Sequence, residues 1–157
     1  MSILIQIDDL RRHKVIDLLQ THLDFAFEVS PPEIAHSHAL DLTALRRPEI
    51  TFWTAWEHNE LMGCAALKEL SKDHGEVKSM HTVKEVRGKG VASKLLENLI
   101  SVAQDRSYSR LSLETGAIDV FNTARELYSR FGFETCQPFA NYSEHPFSVF
   151  MTKNLNG

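Results

Sequence analysis

The sequence predicts a single mixed α/β (α+β) domain spanning residues 1–157, with helices packed on a mixed sheet. Three observations carry this reading. Strand-like and helix-like apolar periodicities alternate along the chain. A hairpin precedes the central strand-helix unit, which excludes a purely parallel sheet. The 157 residues, 43% of them hydrophobic, suffice for one buried core and leave no room for a second full domain.

The elements follow in order. Residues 2 to 7 are rich in Ile and Leu and read as a first strand. Leu10, Val15, Leu18, Leu19, Leu23 and Phe27 then fall at helical spacing, and Pro31-Pro32 requires that helix to stop near Glu28. A second helical segment is expected from Ile34 to Leu45, ending before Pro48. From Glu49 to Leu70 the content turns to β, with a polar turn at His58-Asn59-Glu60 between two strands. Asp73-His74-Gly75 reads as another turn, and Glu76 to Val83 as a strand leading into Arg87-Gly88-Lys89-Gly90. Val91, Leu95, Leu96, Leu99, Ile100 and Val102 form the apolar stripe of a helix that runs to about Asp105. Leu111 to Thr115 alternates as a strand, and Val120 to Phe131 reads as a helix closed by Gly132. Strands near Phe133 and over Phe147 to Thr152 complete the chain.

Composition excludes several function classes. The net charge is −4 and the 17 basic residues are scattered, so the basic patch of a nucleic-acid binder is missing. Cys64 and Cys136 lie 72 residues apart with no CxxC spacing, which suits reduced packing thiols rather than a disulfide framework or a zinc site. Ile3-Leu4-Ile5 is too short for a signal-peptide hydrophobic region, and no apolar run approaches the roughly 20 residues of a membrane helix. A cytoplasmic protein with no membrane partner is expected.

The segment with most chemical content is Val83 to Ser93, where a strand gives way to a helix. The first amides of a helix lack intrahelical partners and carry the positive end of its dipole, so they can grip a pyrophosphate. Gly88 and Gly90 allow close approach, Val91, Ala92 and Ser93 supply the first-turn amides, and Arg87 and Lys89 add charge. The other reading is an ordinary Gly-containing turn. An ATP-binding P-loop would need GxxxxGK[ST], which Gly88 to Ser93 does not supply.

Arg87, Gly90 and Ala92 match R-x-x-G-x-A, which resembles the pyrophosphate-binding signature of the GNAT acetyltransferase superfamily. Ala124 to Phe133 is similar to that family's A-x-x-L-Y-x-x-x-G-F segment. His38-Ala39-Leu40-Asp41, Phe52-Trp53, Gly63 to Leu67 and Ser148 to Met151 resemble a bacterial subgroup of small single-domain members over nearly the full length. Lys84 stands where many relatives have Pro, and Phe121 where many have Asn, with Asn122 one position away. The resemblance implies a mixed sheet of six to seven strands with about four helices.

The resemblance also implies a function: N-acetyl transfer from acetyl-CoA, as co-substrate, to a small-molecule or peptide amine by direct transfer in a ternary complex, with no metal. The alternative is a non-catalytic acyl-CoA-binding sensor or partner module. Backbone groups of Met80, His81 and Thr82 would meet the thioester and pantetheine, with Asn122 a further cofactor contact. Tyr128 would be the general acid, since a phenol keeps its proton at neutral pH; a packed core tyrosine is its structural alternative. Glu76, eleven residues before Arg87, would be the general base, or else a strand glutamate paired with a neighbouring lysine. His81 is a second base candidate, although alternation sets it on the face opposite Met80 and Thr82. His22, His36 and His38 lack a metal-ligand spacing and are read with Trp53 and Phe27 as acceptor-pocket residues. Glu114 and Thr115 are expected beside a splay in the sheet. Relatives of this type include dimers, so a homodimer is compatible with the sequence.

Overall fold

The computed structural model describes residues 2–34 and 42–156. In chain order the elements are β1 (Leu4–Ile7), α1 (His13–Val29), α2 (Leu42–Leu45), β2 (Ile50–Glu57), β3 (Glu60–Ser71), β4 (His74–Thr82), α3 (Val91–Asp105), β5 (Arg110–Gly116), α4 (Asn122–Arg130), β6 (Glu134–Cys136) and β7 (Ser148–Asn154). Single 3-10 turns lie at Lys84–Val86 and Asp119–Phe121. The strands form one seven-stranded sheet in the order β1-β2-β3-β4-β5-β7-β6. Only the β4–β5 pair is parallel, as expected when a helix, α3, carries the chain between them.

Strand alternation sorts the apolar residues onto two faces. On one, Phe52, Trp56, Cys64 and Ala66 meet Val15, Leu18 and Leu19 of α1, with Leu45 and Leu10. On the other, Trp53, Ala65, Leu67, Val77, Leu111 and Leu113 meet Val91, Leu95, Leu96 and Leu99 of α3 and Leu127 and Tyr128 of α4. No helix among the described residues is long and apolar enough to cross a membrane.

The structure shifts several expected boundaries, each for a local reason. Leu10 is not part of the first helix. It adopts a left-handed φ of 64°, with its amide donating to Asp8 Oδ1 at 2.8 Å, and α1 starts three residues later. The β2–β3 loop is only His58-Asn59, both left-handed, as a two-residue hairpin of right-twisted strands requires. His74 and Gly75, expected in a turn, already belong to β4: Ser71 pairs with His74, leaving Lys72-Asp73 as the loop. Of the segment expected to be helical from Ile34 to Leu45, residues 35–41 lie outside the described residues, and α2 forms its end. The helix expected over Val120 to Phe131 begins as the 3-10 turn and becomes α-helical at Asn122. Its closure by Gly132 is as expected: at φ 93° Gly132 lets the Phe133 amide return to Tyr128 O at 3.0 Å.

Candidate active site

The parallel pair creates the site by coming apart. β4 and β5 pair only where His74, Gly75 and Glu76 face Arg110, Leu111 and Ser112. Beyond that point β4 continues to Thr82 and β5 to Gly116 without pairing to each other. Unpaired ladder groups are left facing a gap, where a ligand with amide groups of its own can satisfy them. A cavity of about 180 Å³ occupies the gap, lined on one side by Glu76 to Met80 and on the other by Glu114, Thr115 and Gly116. Phe121, Ala124 and Tyr128 close it from the α4 side, and His22, Ala26 and Phe147 from the opposite side.

A β-bulge shapes the β4 wall. Cys64 faces His81 and Ala66 faces Lys78, so Ser79 and Met80 together stand against Ala65. Ser79 takes a left-handed φ of 52°, and its carbonyl accepts the Cys64 thiol at 3.3 Å. The extra residue turns Met80 onto the α3 face, where it packs against the core, while Lys78 and His81 stay on the face of their partners Ala66 and Cys64.

The glycine-containing turn ends at the N-terminus of α3. Lys84 does not prevent the turn expected to carry Pro, since Lys84 O accepts the Arg87 amide at 3.4 Å in a 3-10 turn. Gly88 and Gly90 have φ of 83° and 85°. A Cβ added at either would meet nothing within 4 Å, so the space in front of this backbone is open. Gly90 caps α3 with no side-chain acceptor, leaving the amides of Val91, Ala92 and Ser93 uncapped by any side chain. Arg87 and Lys89 are exposed beside them. This cradle fits a pyrophosphate: open space, free amides, the helix dipole and two cations.

Tyr128 and Glu76 line the same cavity. Tyr128 is buried with its ring edge-on to Phe133 at 5.8 Å. Burial, and then the charge of Glu114, push its phenol well above the ordinary tyrosine range, so it stays protonated. Glu76 is only 2% exposed. Its Oε2 lies 3.4 Å from Lys78 Nζ and accepts the Tyr142 hydroxyl at 2.6 Å, while Lys78 donates to that same hydroxyl at 2.7 Å. Burial pulls the Lys78 ammonium below the usual lysine range, and Glu76 opposes the shift. The lysine partner weighed for Glu76 is therefore present, and the carboxylate still borders the cavity.

The remaining candidates fall in different places. His81 does lie opposite Met80, and packs its Nδ1 3.2 Å from Nδ1 of His22. Burial lowers His22 to about 4 and His81 to about 3, so both rings are neutral at pH 7. His22 lines the cavity; His36 and His38 lie outside the described residues. Thr82 pairs with Gly63 at the end of β4. Asn122 begins α4, accepts from the Arg125 guanidinium and lines a separate depression with Arg125, Glu126 and Ser129. Trp53, expected at the acceptor pocket, is instead buried in the core on the α3 face, because it directly follows Phe52, which strand alternation sets on the α1 face. Phe27 is 44% exposed and does not line the cavity.

Sequence reasoning missed Tyr142, Lys78, Ser79 and Phe147. Tyr142 and Phe147 belong to an irregular segment with no periodicity to read, and the Ser79 bulge disguises the strand's alternation. His145 of that segment reaches Glu33 at 3.3 Å, which joins it to the chain just beyond α1.

Comparison with known proteins places these features in context. The family model for the acetyltransferase (GNAT) family matches residues 13–133. The chain is 54% identical over 151 residues to an uncharacterized N-acetyltransferase, YsnE, of Bacillus subtilis (strain 168), covering 96% of this chain and 99% of that protein. Among solved structures, a presumptive acyl-CoA N-acyltransferase from Klebsiella pneumoniae superposes with a TM-score of 0.81 at 30% identity, over 98% of each chain. A GNAT family acetyltransferase from Elizabethkingia anophelis, solved with acetyl-CoA bound, shares the fold at a TM-score of 0.69 and 19% identity, over 97% of each chain.

Proposed function

The chain belongs to the GNAT acetyltransferase family, and from that premise we propose that it moves the acetyl group of acetyl-CoA directly to an amine of a small molecule or peptide within a ternary complex. The observation that carries this reading is the gap between β4 and β5, with a protonated phenol on one wall, a buried carboxylate on the other and an uncapped helix N-terminus beyond.

When bound, acetyl-CoA supplies an acyl group activated as a thioester. The amides of Val91, Ala92 and Ser93 hold the pyrophosphate with help from Arg87 and Lys89, and Gly88 and Gly90 keep the approach open. Backbone groups of Met80, His81 and Thr82 align the pantetheine arm and polarise the acyl carbonyl. Glu76 takes the proton that the acceptor amine must lose. Tyr128 first donates a hydrogen bond to the departing sulfur; its raised pKa makes it a proton source only as full thiolate charge develops. Direct transfer is supported by the state of Cys64. Its thiol is fully buried, is pushed up to about 12 by burial and is engaged by Ser79 O, which leaves it no role as an acyl carrier.

Glu76 and Lys78 offset one another, so Glu114 tips the charge of the cavity wall towards negative. Among apolar neighbours such as Phe121 and Phe147, that balance favours an acceptor that arrives as a cation.

Calorimetric titration with acetyl-CoA, CoA and ATP tests the cofactor site, on the wild type and on the Arg87→Ala/Gly90→Asp double variant. Binding of acetyl-CoA and CoA is expected, with none of ATP, and a loss of at least about 100-fold in the variant, where an anion replaces the open approach to the helix amides. Thiol release is then followed with spermidine, tyramine, phenylalanine, kanamycin and a lysine peptide. Binding with release by one of them supports the transferase; binding with release by none returns the balance to an acyl-CoA-binding module, and no binding removes both.

A further inference from the structure

The irregular segment of residues 137–147 borders the site without strand or helix to hold it, yet one of its side chains reaches a carboxylate that is only 2% exposed. Tyr142 stands 66 residues from Glu76 in sequence and donates its hydroxyl to Glu76 Oε2 at 2.6 Å. Lys78 Nζ donates to that same hydroxyl at 2.7 Å and lies 3.4 Å from Glu76 Oε2. The ring is seated edge-on against Phe139 at 5.2 Å and tilted on Phe150 at 5.6 Å, so the hydroxyl has a defined position. Burial first, then the charges of Glu76 and Glu114, push the Tyr142 phenol far above its ordinary range, which keeps it a donor throughout the working pH range.

We propose that Tyr142 is a positioning residue for the acetyl-transfer reaction: its hydroxyl holds the Glu76 carboxylate in one orientation, and in doing so latches the 137–147 segment over the acceptor side of the cavity. This rests on the reading of Glu76 as the base. Among the described residues the Tyr142 and Lys78 contacts of Glu76 both use Oε2, which assigns Oε1 to the amine's proton in the proposed reaction. A hydrogen bond donated to a carboxylate favours the charged form, and a base must be charged before it can act. The latched segment is the one that supplies Phe147 to the cavity and His145 to Glu33.

The other charged groups around Glu76 bear on any change in its titration. Lys78 adjoins it on β4, Lys68 faces it from β3, and Ser112 faces it from β5, bonded to His74 at 2.7 Å; Glu114 and His22 line the same cavity. Tyr142→Phe keeps the ring on Phe139 and Phe150 and leaves these groups in place, but Lys78 loses the hydroxyl it donates to and keeps its ion pair with Glu76.

The decisive experiment is a carboxyl ¹³C NMR titration of Glu76 in glutamate-labelled protein, its resonance assigned by its loss in Glu76→Gln. In Tyr142→Phe the midpoint of Glu76 is expected to rise by about one pH unit, and Tyr142→His, which keeps a ring with an N–H donor, to recover part of the shift. With the amine that gives thiol release, the acid limb of kcat/KM should move by the same amount, while CoA binding stays unchanged and Tyr142→Phe has no further effect in the Glu76→Gln background. An unmoved midpoint overturns the proposal. Should Tyr142→Phe not fold, the latch is read from the other end: limited proteolysis within 137–147 should be at least about tenfold faster in Glu76→Gln than in wild type, and equal rates overturn the proposal. The titration needs neither acetyl-CoA nor acceptor. Failure of every amine therefore ends the transferase reading and with it the catalytic part of this inference, leaving only the Tyr142–Glu76 latch, whereas an unmoved midpoint in an active enzyme ends this inference alone.

Discussion

A buried phenol that keeps its proton is a reserve of hydrogen-bonding power, and in the proposed reaction Tyr128 lends it to the departing sulfur. Tyr128→Phe removes one oxygen from a ring that otherwise packs on Phe133 and the α3 face, so the fold should hold. Loss of a general acid typically costs about 10²-fold or more in rate. We therefore expect kcat to fall by roughly that factor while acetyl-CoA affinity, measured by calorimetry, changes by less than about twofold. Equal loss of both would make Tyr128 a packing residue. At this scale the sequence led to the cavity where a residue type is itself the signal: a tyrosine at a family position and a glutamate at a family offset both line it. It was silent on Tyr142, whose importance comes from a partner 66 residues away and from no local pattern.

Elements whose formation depends on nearest neighbours were read well. The stripe Val91, Leu95, Leu96 and Leu99 needs only helical spacing, and these four side chains are at most 1% exposed. Gly132 closes α4 because the chain must pass through a left-handed turn there. Gly132→Ala tests that reason. Its Cβ would sit 2.7 Å from Lys153 Nζ, the movable end of a flexible chain, so backbone strain and not collision sets the cost. The variant is expected to lose about 1 kcal/mol in urea unfolding, with CoA binding unaltered, since Gly132 does not line the cavity. Elements set by competition were read less well. The helical spacing of Leu10 lost to the Asp8 side chain, which draws the chain into a left-handed turn. The bulge at Ser79 was illegible because it leaves the residue types of β4 unchanged and alters only which face each one meets. Yet that bulge sets which β4 residues present themselves to the gap, so the least legible element shapes the site most.

Over the whole molecule, two neutral histidines packed between α1 and β4 tie the stability of the fold to pH. Burial holds His22 at about 4 and His81 at about 3, both below the ordinary histidine value of 6.5. Above pH 6.5 each ring is neutral whether folded or unfolded, and its burial carries no titration cost. As pH falls from 6.5 towards 4, the unfolded chain takes up protons that the folded chain refuses, so the contribution present at neutral pH is progressively lost. Below about 3 the folded rings also protonate and the loss stops growing. The rings share one contact, with Nδ1 atoms 3.2 Å apart, so only one of the two can supply the proton between them and they respond as a pair. Wild-type protein should therefore lose a few kcal/mol of unfolding free energy between pH 7 and pH 4.5, measured by urea titration. Carboxylates that titrate nearby add to the slope, so the comparison is made with His81→Asn, which removes one titrating ring and keeps a polar side chain beside His22. A flatter dependence in the variant assigns the slope to the pair; parallel curves would place the acid sensitivity elsewhere. His22 also borders the cavity, so the same protonation would set a cation against an acceptor that arrives positively charged, and amine binding should weaken on the acid side along with the fold.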